Sequence, residues 1–221
     1  MKNMKVLINY GWLLLLVLIA SCGEEIGQDL SGIDLMAHKL DVPTIDATSK
    51  ESVAEYVNWV KDEENGLKQV KSIGDLTFEA LLKPPVYCAL IDSKGKSITN
   101  DELREQSVGQ SELYQLEFSL QNKTCSDELL KCGVADMGEY QQRVQYYSFQ
   151  LNNDAYLVID KDTIPCGAHH WERAFDATNK ITMQMVFDKP RTKLEFEKMQ
   201  LVYYDRVFGN GLIKFMFGNE S

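Results

Sequence analysis

Tyr114, Leu116, Phe118 and Leu120 alternate with Gln115, Glu117 and Ser119, and a period of two puts one row of side chains on each face of an extended strand. The same alternation returns in Leu76, Phe78, Ala80 and Leu82, and again in Ile181, Met183, Met185 and Phe187. A strand with one apolar face needs a second apolar layer to cover it, which restricts such a chain to sandwiches and barrels. Leu67 to Ile73 pairs with Leu76 to Leu82 across Gly74-Asp75, the glycine-first form of a type II′ turn. Met199, Leu201 and Tyr203 begin a strand that returns through Asn210-Gly211 into Ile213, Phe215 and Phe217. Roughly eight to ten strands with no βαβ rhythm predict a mainly β fold, an antiparallel β-sandwich or barrel-like domain with one or two short helices.

One helix is expected from Ser49 to about Lys61, where Thr48 and Glu51 have capping-box spacing and Val53, Tyr56, Val57 and Val60 share a face. A second is expected over Asp101 to Gln106, capped by Thr99 with Glu102. Val86 to Ile91 fits a buried strand or a helix equally. Val144 to Leu151 and Ala155 to Asp160 flank Asn152-Asn153-Asp154 as a hairpin with one bulge, and residues 161–180 form a long connection.

The N-terminus carries a different signal. Lys2 and Lys5 precede an apolar run from Val6 to Ala20, and Ile19-Ala20-Ser21 leads into Cys22. The run is about 15 residues, short of the roughly 20 that span a hydrocarbon core. The pattern resembles the lipobox of bacterial lipoproteins, in which signal peptidase II cuts before a cysteine already carrying diacylglycerol. The resemblance implies a signal over 1–21, a cut between Ser21 and Cys22, and fatty acyl chains on Cys22. A tether would then cover 22–47 and one β-rich domain 48–221. Each buried methylene contributes about 0.8 kcal/mol, and two or more chains hold where one does not. With no Asp after the cysteine, the resemblance implies the outer membrane, on its periplasmic face or at the cell surface. Gly23-Glu24-Glu25 is also similar to the export signals of surface lipoproteins in the Bacteroidetes.

The chain has 23 basic and 33 acidic side chains, and losing Lys2 and Lys5 makes the remainder more acidic still. That balance argues against nucleic acid and against adsorption on anionic lipid. With Cys22 acylated, Cys88, Cys125, Cys132 and Cys166 remain as disulfide candidates in a compartment that permits such bonds. A Cys125–Cys132 bond requires a broken helix between them, because a continuous one would hold the Cα atoms about 10 Å apart. Cys88 sits in an apolar setting that suits a buried thiol.

The densest chemical cluster is Cys166-Gly167-Ala168-His169-His170-Trp171-Glu172. Cys166 with His169 or His170 could be metal ligands or a thiol with its base. In an extended segment the two histidines point to opposite sides, so the ordinary reading is a disulfide cysteine on an exposed loop. No catalytic residue, metal or cofactor is assigned, since no nucleophile elbow, zincin, phosphate-loop or dinucleotide motif is found. Tyr146-Tyr147 and Tyr203-Tyr204 should each place one ring in the core and one outside, where it could stack on a sugar or meet a protein. The expected function is an envelope lipoprotein whose sandwich binds a glycan, a peptide or an envelope protein, or serves as an accessory subunit. The alternative is a hydrolase or metal-dependent enzyme using the Cys166, His169 and His170 segment.

Overall fold

The computed structural model describes residues 40, 42–172, 179–190 and 198–218. The signal, Cys22 and most of the tether lie outside them. Helix α1 (Lys50–Lys61) starts at Ser49, whose hydroxyl accepts from the Ser52 amide, so the cap stands one residue later than Thr48. Tyr56 and Val60 are its buried residues. Strands β1 (Lys68–Ile73) and β2 (Leu76–Lys83) pair with Ile73 opposite Leu76, and Gly74 takes the positive φ of 58° that the glycine-first turn requires. Pro84-Pro85 ends β2 and starts α2 (Pro85–Asp92), which resolves the ambiguous apolar run as a helix, buried from Pro85 to Leu90. It packs against α1 and α3 (Asn100–Gln110), and α3 has the Thr99/Glu102 capping box that the spacing predicts.

The remaining strands are β3 (Leu113–Asn122), β4 (Ala155–Ile159), β5 (Asp162–Pro165), β6 (Ala168–Glu172), β7 (Lys180–Asp188), β8 (Met199–Asp205) and β9 (Gly211–Phe217). They form two antiparallel sheets, ordered β1-β2-β3-β7-β6 and β5-β4-β8-β9. The inward rows of the two sheets meet at Phe118 of β3, whose ring lies 4.9 Å from Tyr203 of β8 and 6.0 Å from Phe215 of β9. The core between them is mainly apolar, with Phe78, Leu116, Met183, Met185, Phe187, Leu157 and Leu201 fully buried and the Tyr203 hydroxyl enclosed with them. The fold is thus mainly antiparallel β in two sheets, as the alternation predicts.

Three elements differ from the sequence reading. Val144 to Leu151 is not a strand: it is the second half of α4 (Met137–Phe149) followed by a 3-10 turn over Leu151–Asp154. The apparent register fault is a helical period, since Tyr140 and Val144, half-buried, and Tyr147 and Leu151, fully buried, share one inward stripe. Tyr146 and Tyr147 are therefore both buried. With α2 and α4 the described residues hold four helices rather than one or two. The connection over 161–180 contains two strands, and it changes sheets at a corner: the Cys166 amide donates to Ala155 O (3.1 Å) and the Gly167 amide to Val186 O (2.9 Å). Finally, Leu40, Ile45 and Ala47 are buried, and the Ala47 amide donates to Asn100 Oδ1 (2.7 Å), so part of the segment read as tether packs on the domain.

Candidate functional site

Cys125 and Cys132 form a disulfide with their Cα atoms 6.1 Å apart, across a 3-10 turn at Leu129–Lys131. Cys88 and Cys166 are buried thiols, so the four candidates give one bond and no second pair. The Cys166 thiol donates to Ala168 O (3.2 Å), and burial pushes its pKa up to about 11. Nothing here activates it as a nucleophile, which needs a thiolate near neutral pH.

His169 and His170 stand on an edge strand and not on a loop. In β6 they face Met185 and Gln184 of β7, hence opposite sides of the sheet. His169 is half-buried, with Nε2 3.0 Å from the Tyr147 carbonyl. A carbonyl only accepts, so Nε2 carries the proton and that nitrogen is occupied. His170 is exposed. Among the described residues no three His, Cys, Asp or Glu side chains converge on a metal position.

A different arrangement forms where β8 meets the 3-10 turn after α4. Asp154, 7% exposed, accepts from Tyr146 Oη (3.0 Å), Arg206 Nε (2.6 Å) and Arg206 Nη2 (2.7 Å). Burial, with Tyr203 and Asp154 close by, pushes the Tyr146 hydroxyl well above the usual phenol range. Asp205, 1% exposed, accepts from the amides of Phe208 and Asn210 and from Asn210 Nδ2 (2.6 Å), which fixes the turn into β9. Arg206 leaves this anchored base for solvent. Its carboxylate partner raises its pKa further, and its guanidinium lies over the Tyr204 ring at 5.4 Å.

Tyr204 is the outward member of its doublet, as alternation predicts, while Tyr203 is fully buried. It stands directly opposite Leu212 of β9, and both are exposed, by 43% and 58%. The same outward row continues along the four-stranded sheet. Strand β4 contributes Tyr156 and Val158, and β5 contributes Thr163 and Pro165. Strand β8 adds Gln200, half-buried, and Val202, which is 2% exposed, and β9 adds the exposed Lys214 and the half-buried Met216. Among the described residues of these strands no carboxylate stands on this face.

The five-stranded sheet is unlike it. There Glu79 is bridged by Lys68 (3.6 Å) and Lys180 (4.0 Å), and Gln184 joins Lys83 (3.1 Å) to Glu117 (3.2 Å). That outer face satisfies its own charges. The face of the four-stranded sheet carries Lys214 and Arg206, and among the described residues Arg206 has a carboxylate, taken from below, while Lys214 has none.

Of the residues named from sequence, Tyr204 lies in this patch; Cys166, His169 and His170 belong to the corner and edge strand and do not join it. Arg206, Asp154 and Leu212 were not legible as a group. Arg206 and Asp154 are 52 positions apart, and only the outward position of Tyr204 pointed to this end of β8. No family model and no curated protein matches the chain. Among solved structures, a DUF4426 family protein from Pseudomonas aeruginosa PAO1 is similar at 11% identity and a TM-score of 0.31, over 70% of this chain and 94% of its own.

Proposed function

We propose that this chain is a lipoprotein of a bacterial envelope, held at the outer membrane by acyl chains on Cys22, whose sandwich binds a partner outside the inner membrane. The address rests on the Ile19-Ala20-Ser21-Cys22 pattern behind a charged and apolar leader. The binding half is carried by one observation: an outward sheet face free of carboxylates, with an exposed Tyr and Leu and a braced Arg, in a chain with a formal charge of −10. Tyr and Arg are the side chains that dominate binding energy at interfaces. The enzymatic alternative has no comparable support, because the Cys166 thiol and His169 each bond a backbone carbonyl.

Intact-mass analysis of the full chain expressed in a diderm bacterium tests the anchor. The expected product starts at Cys22, carries acyl mass and stays with the membrane after a high-salt wash, whereas Cys22→Ala is released. A mature chain with an unmodified Cys22 thiol would overturn the lipoprotein reading.

A further inference from the structure

We infer that the acid-free face takes an anionic polypeptide, a segment of an envelope protein that sets a carboxylate beside an apolar side chain, with Arg206 reading the carboxylate. The inference rests on the binding role proposed above and names its partner class. Three features favour this occupant.

The first is charge. Arg206 and Lys214 are the charged side chains of this face among the described residues, and an anionic partner meets no like charge there, where like charges brought together would cost affinity. Lys214 faces Val202 at the middle of the β8–β9 pair and stands diagonally next to Tyr204, so Tyr204 has a cation on either side of it. The second is the way Arg206 is held. Nε and Nη2 are engaged by Asp154, and the guanidinium rests on the Tyr204 ring, yet the side chain is 62% exposed. A guanidinium carries five donors, so those turned to solvent stay available in a fixed orientation, and little side-chain freedom is lost on binding. The third is that Tyr204 stands opposite Leu212, which is 58% exposed, so an apolar surface adjoins the guanidinium. An apolar side chain can lie against Tyr204 and Leu212 together, whereas Leu212 offers the hydroxyls of a sugar no partner.

Fluorescence anisotropy with the full chain in neutral detergent tests this. The probes are a labelled, N-acetylated peptide of alternating leucine and glutamate, the same peptide with glutamine, phosphatidylglycerol vesicles, and a neutral chitin oligosaccharide. The expected result is a dissociation constant below about 1 mM for the glutamate peptide, at least about tenfold weaker for the glutamine peptide, and weakened by salt. Arg206→Gln should lose about tenfold and Arg206→Lys less, because lysine keeps the charge without the fork. Tyr204→Ala, which leaves the Asp154 pair in place, should also weaken it, and Lys96→Gln, an exposed cation elsewhere, should not. Equal affinity for the two peptides, or undiminished binding by Arg206→Gln, would overturn the inference. Arg206-dependent vesicle binding without peptide binding would overturn it in favour of a membrane surface. Oligosaccharide binding that needs Tyr204 but not Arg206 would overturn the acidic partner while sparing the face as a binding site. No response to any probe would overturn both.

Discussion

Asp154 takes three donors from two directions, and their unequal exposure decides what each contributes. Tyr146 is 7% exposed, so its hydroxyl has no water to turn to, whereas Arg206 is largely in solvent. An exposed ion pair contributes at most about 1 kcal/mol, even with the geometry of a two-pronged contact. The stability of this cluster therefore comes mainly from the buried phenol and carboxylate. Removing the Tyr146 hydroxyl leaves Asp154 with its Arg206 bonds, and Tyr146→Phe should cost about 1 kcal/mol. Asp154→Ala leaves the buried hydroxyl without its acceptor and should cost about 2–3 kcal/mol. Urea unfolding separates the two as shifts in midpoint at constant slope; no loss in Tyr146→Phe would show that the phenol gains nothing from the carboxylate. The Cys166 thiol makes the same point about burial. It sits in a corner with its sulfur already bonded to a carbonyl, and burial outweighs the backbone hydrogen bonds that would favour the thiolate.

At the level of elements, the cysteine loop and α4 form one unit. Tyr140 Oη donates to Glu128 (3.0 Å), and Arg143 Nη1 donates to Cys132 O (2.8 Å), so the disulfide-closed loop is sewn along one side of the helix. Leu129 and Leu130 of the same loop are fully buried. Closing so short a loop restricts the unfolded chain by about 2.5 kcal/mol in the chain-entropy model. A Cys125→Ala/Cys132→Ala chain should be destabilised by about that amount, with hydrogen exchange rising first in α4. Uniform exchange across β2, β3 and α4 would show that the loop does not brace the helix. The same helix marks where sequence reading reaches its limit. Strands β2, β3, β7, β8 and β9 were legible because one face is buried and the other is not, which writes a period of two into the sequence. In α4 the aromatic run Tyr146-Tyr147-Ser148-Phe149 carries strand propensity, and packing overrode it. Asp136 caps the helix by accepting from the Glu139 amide, and Glu139 accepts in turn from the Ala135 amide. That reciprocal pair was the local signal for a helix start. Strands β5 and β6 were missed because Pro165 and Gly167 read as breakers, while on sheet edges such residues are tolerated. The Arg206 patch was illegible for another reason: it is made by tertiary contact, and only its Tyr204 follows from alternation.

Across the whole molecule, the tyrosines with raised pKa values lie inside and the carboxylates with lowered ones lie at the surface, while Asp154 and Asp205 are buried carboxylates, so the shifted groups at the two ends of the pH scale act on different layers. At the acid end the groups with lowered pKa values, Asp46, Glu102 and Glu139, are surface caps and turns whose hydrogen bonds favour the charged form. Their contribution is present above the ordinary carboxylate range and lost as pH falls through it, and each is exposed and small. The alkaline end reaches the core. Burial raises Tyr87, pushes Tyr114 up to about 12, and holds Tyr146, Tyr147 and Tyr203 well above the usual phenol range, with Cys166 at about 11. For each of these groups the folded value lies above the unfolded one, so the fold favours the neutral form. That stabilisation is complete below the unfolded values, near 9 for the thiol and 10 for the phenols, and is lost as pH rises past them. Tyr203 touches Phe118 at the centre of the interface between the sheets, so ionising it requires the two layers to part. The expected behaviour is one cooperative alkaline transition above about pH 10, in which tyrosinate absorbance and loss of near-ultraviolet circular dichroism coincide. Tyr203→Phe should delay it by removing one group whose ionisation drives the opening. A gradual rise in tyrosinate absorbance with the dichroism intact would mean that water reaches these hydroxyls in the folded chain, and that the inner layer is less closed than its packing implies.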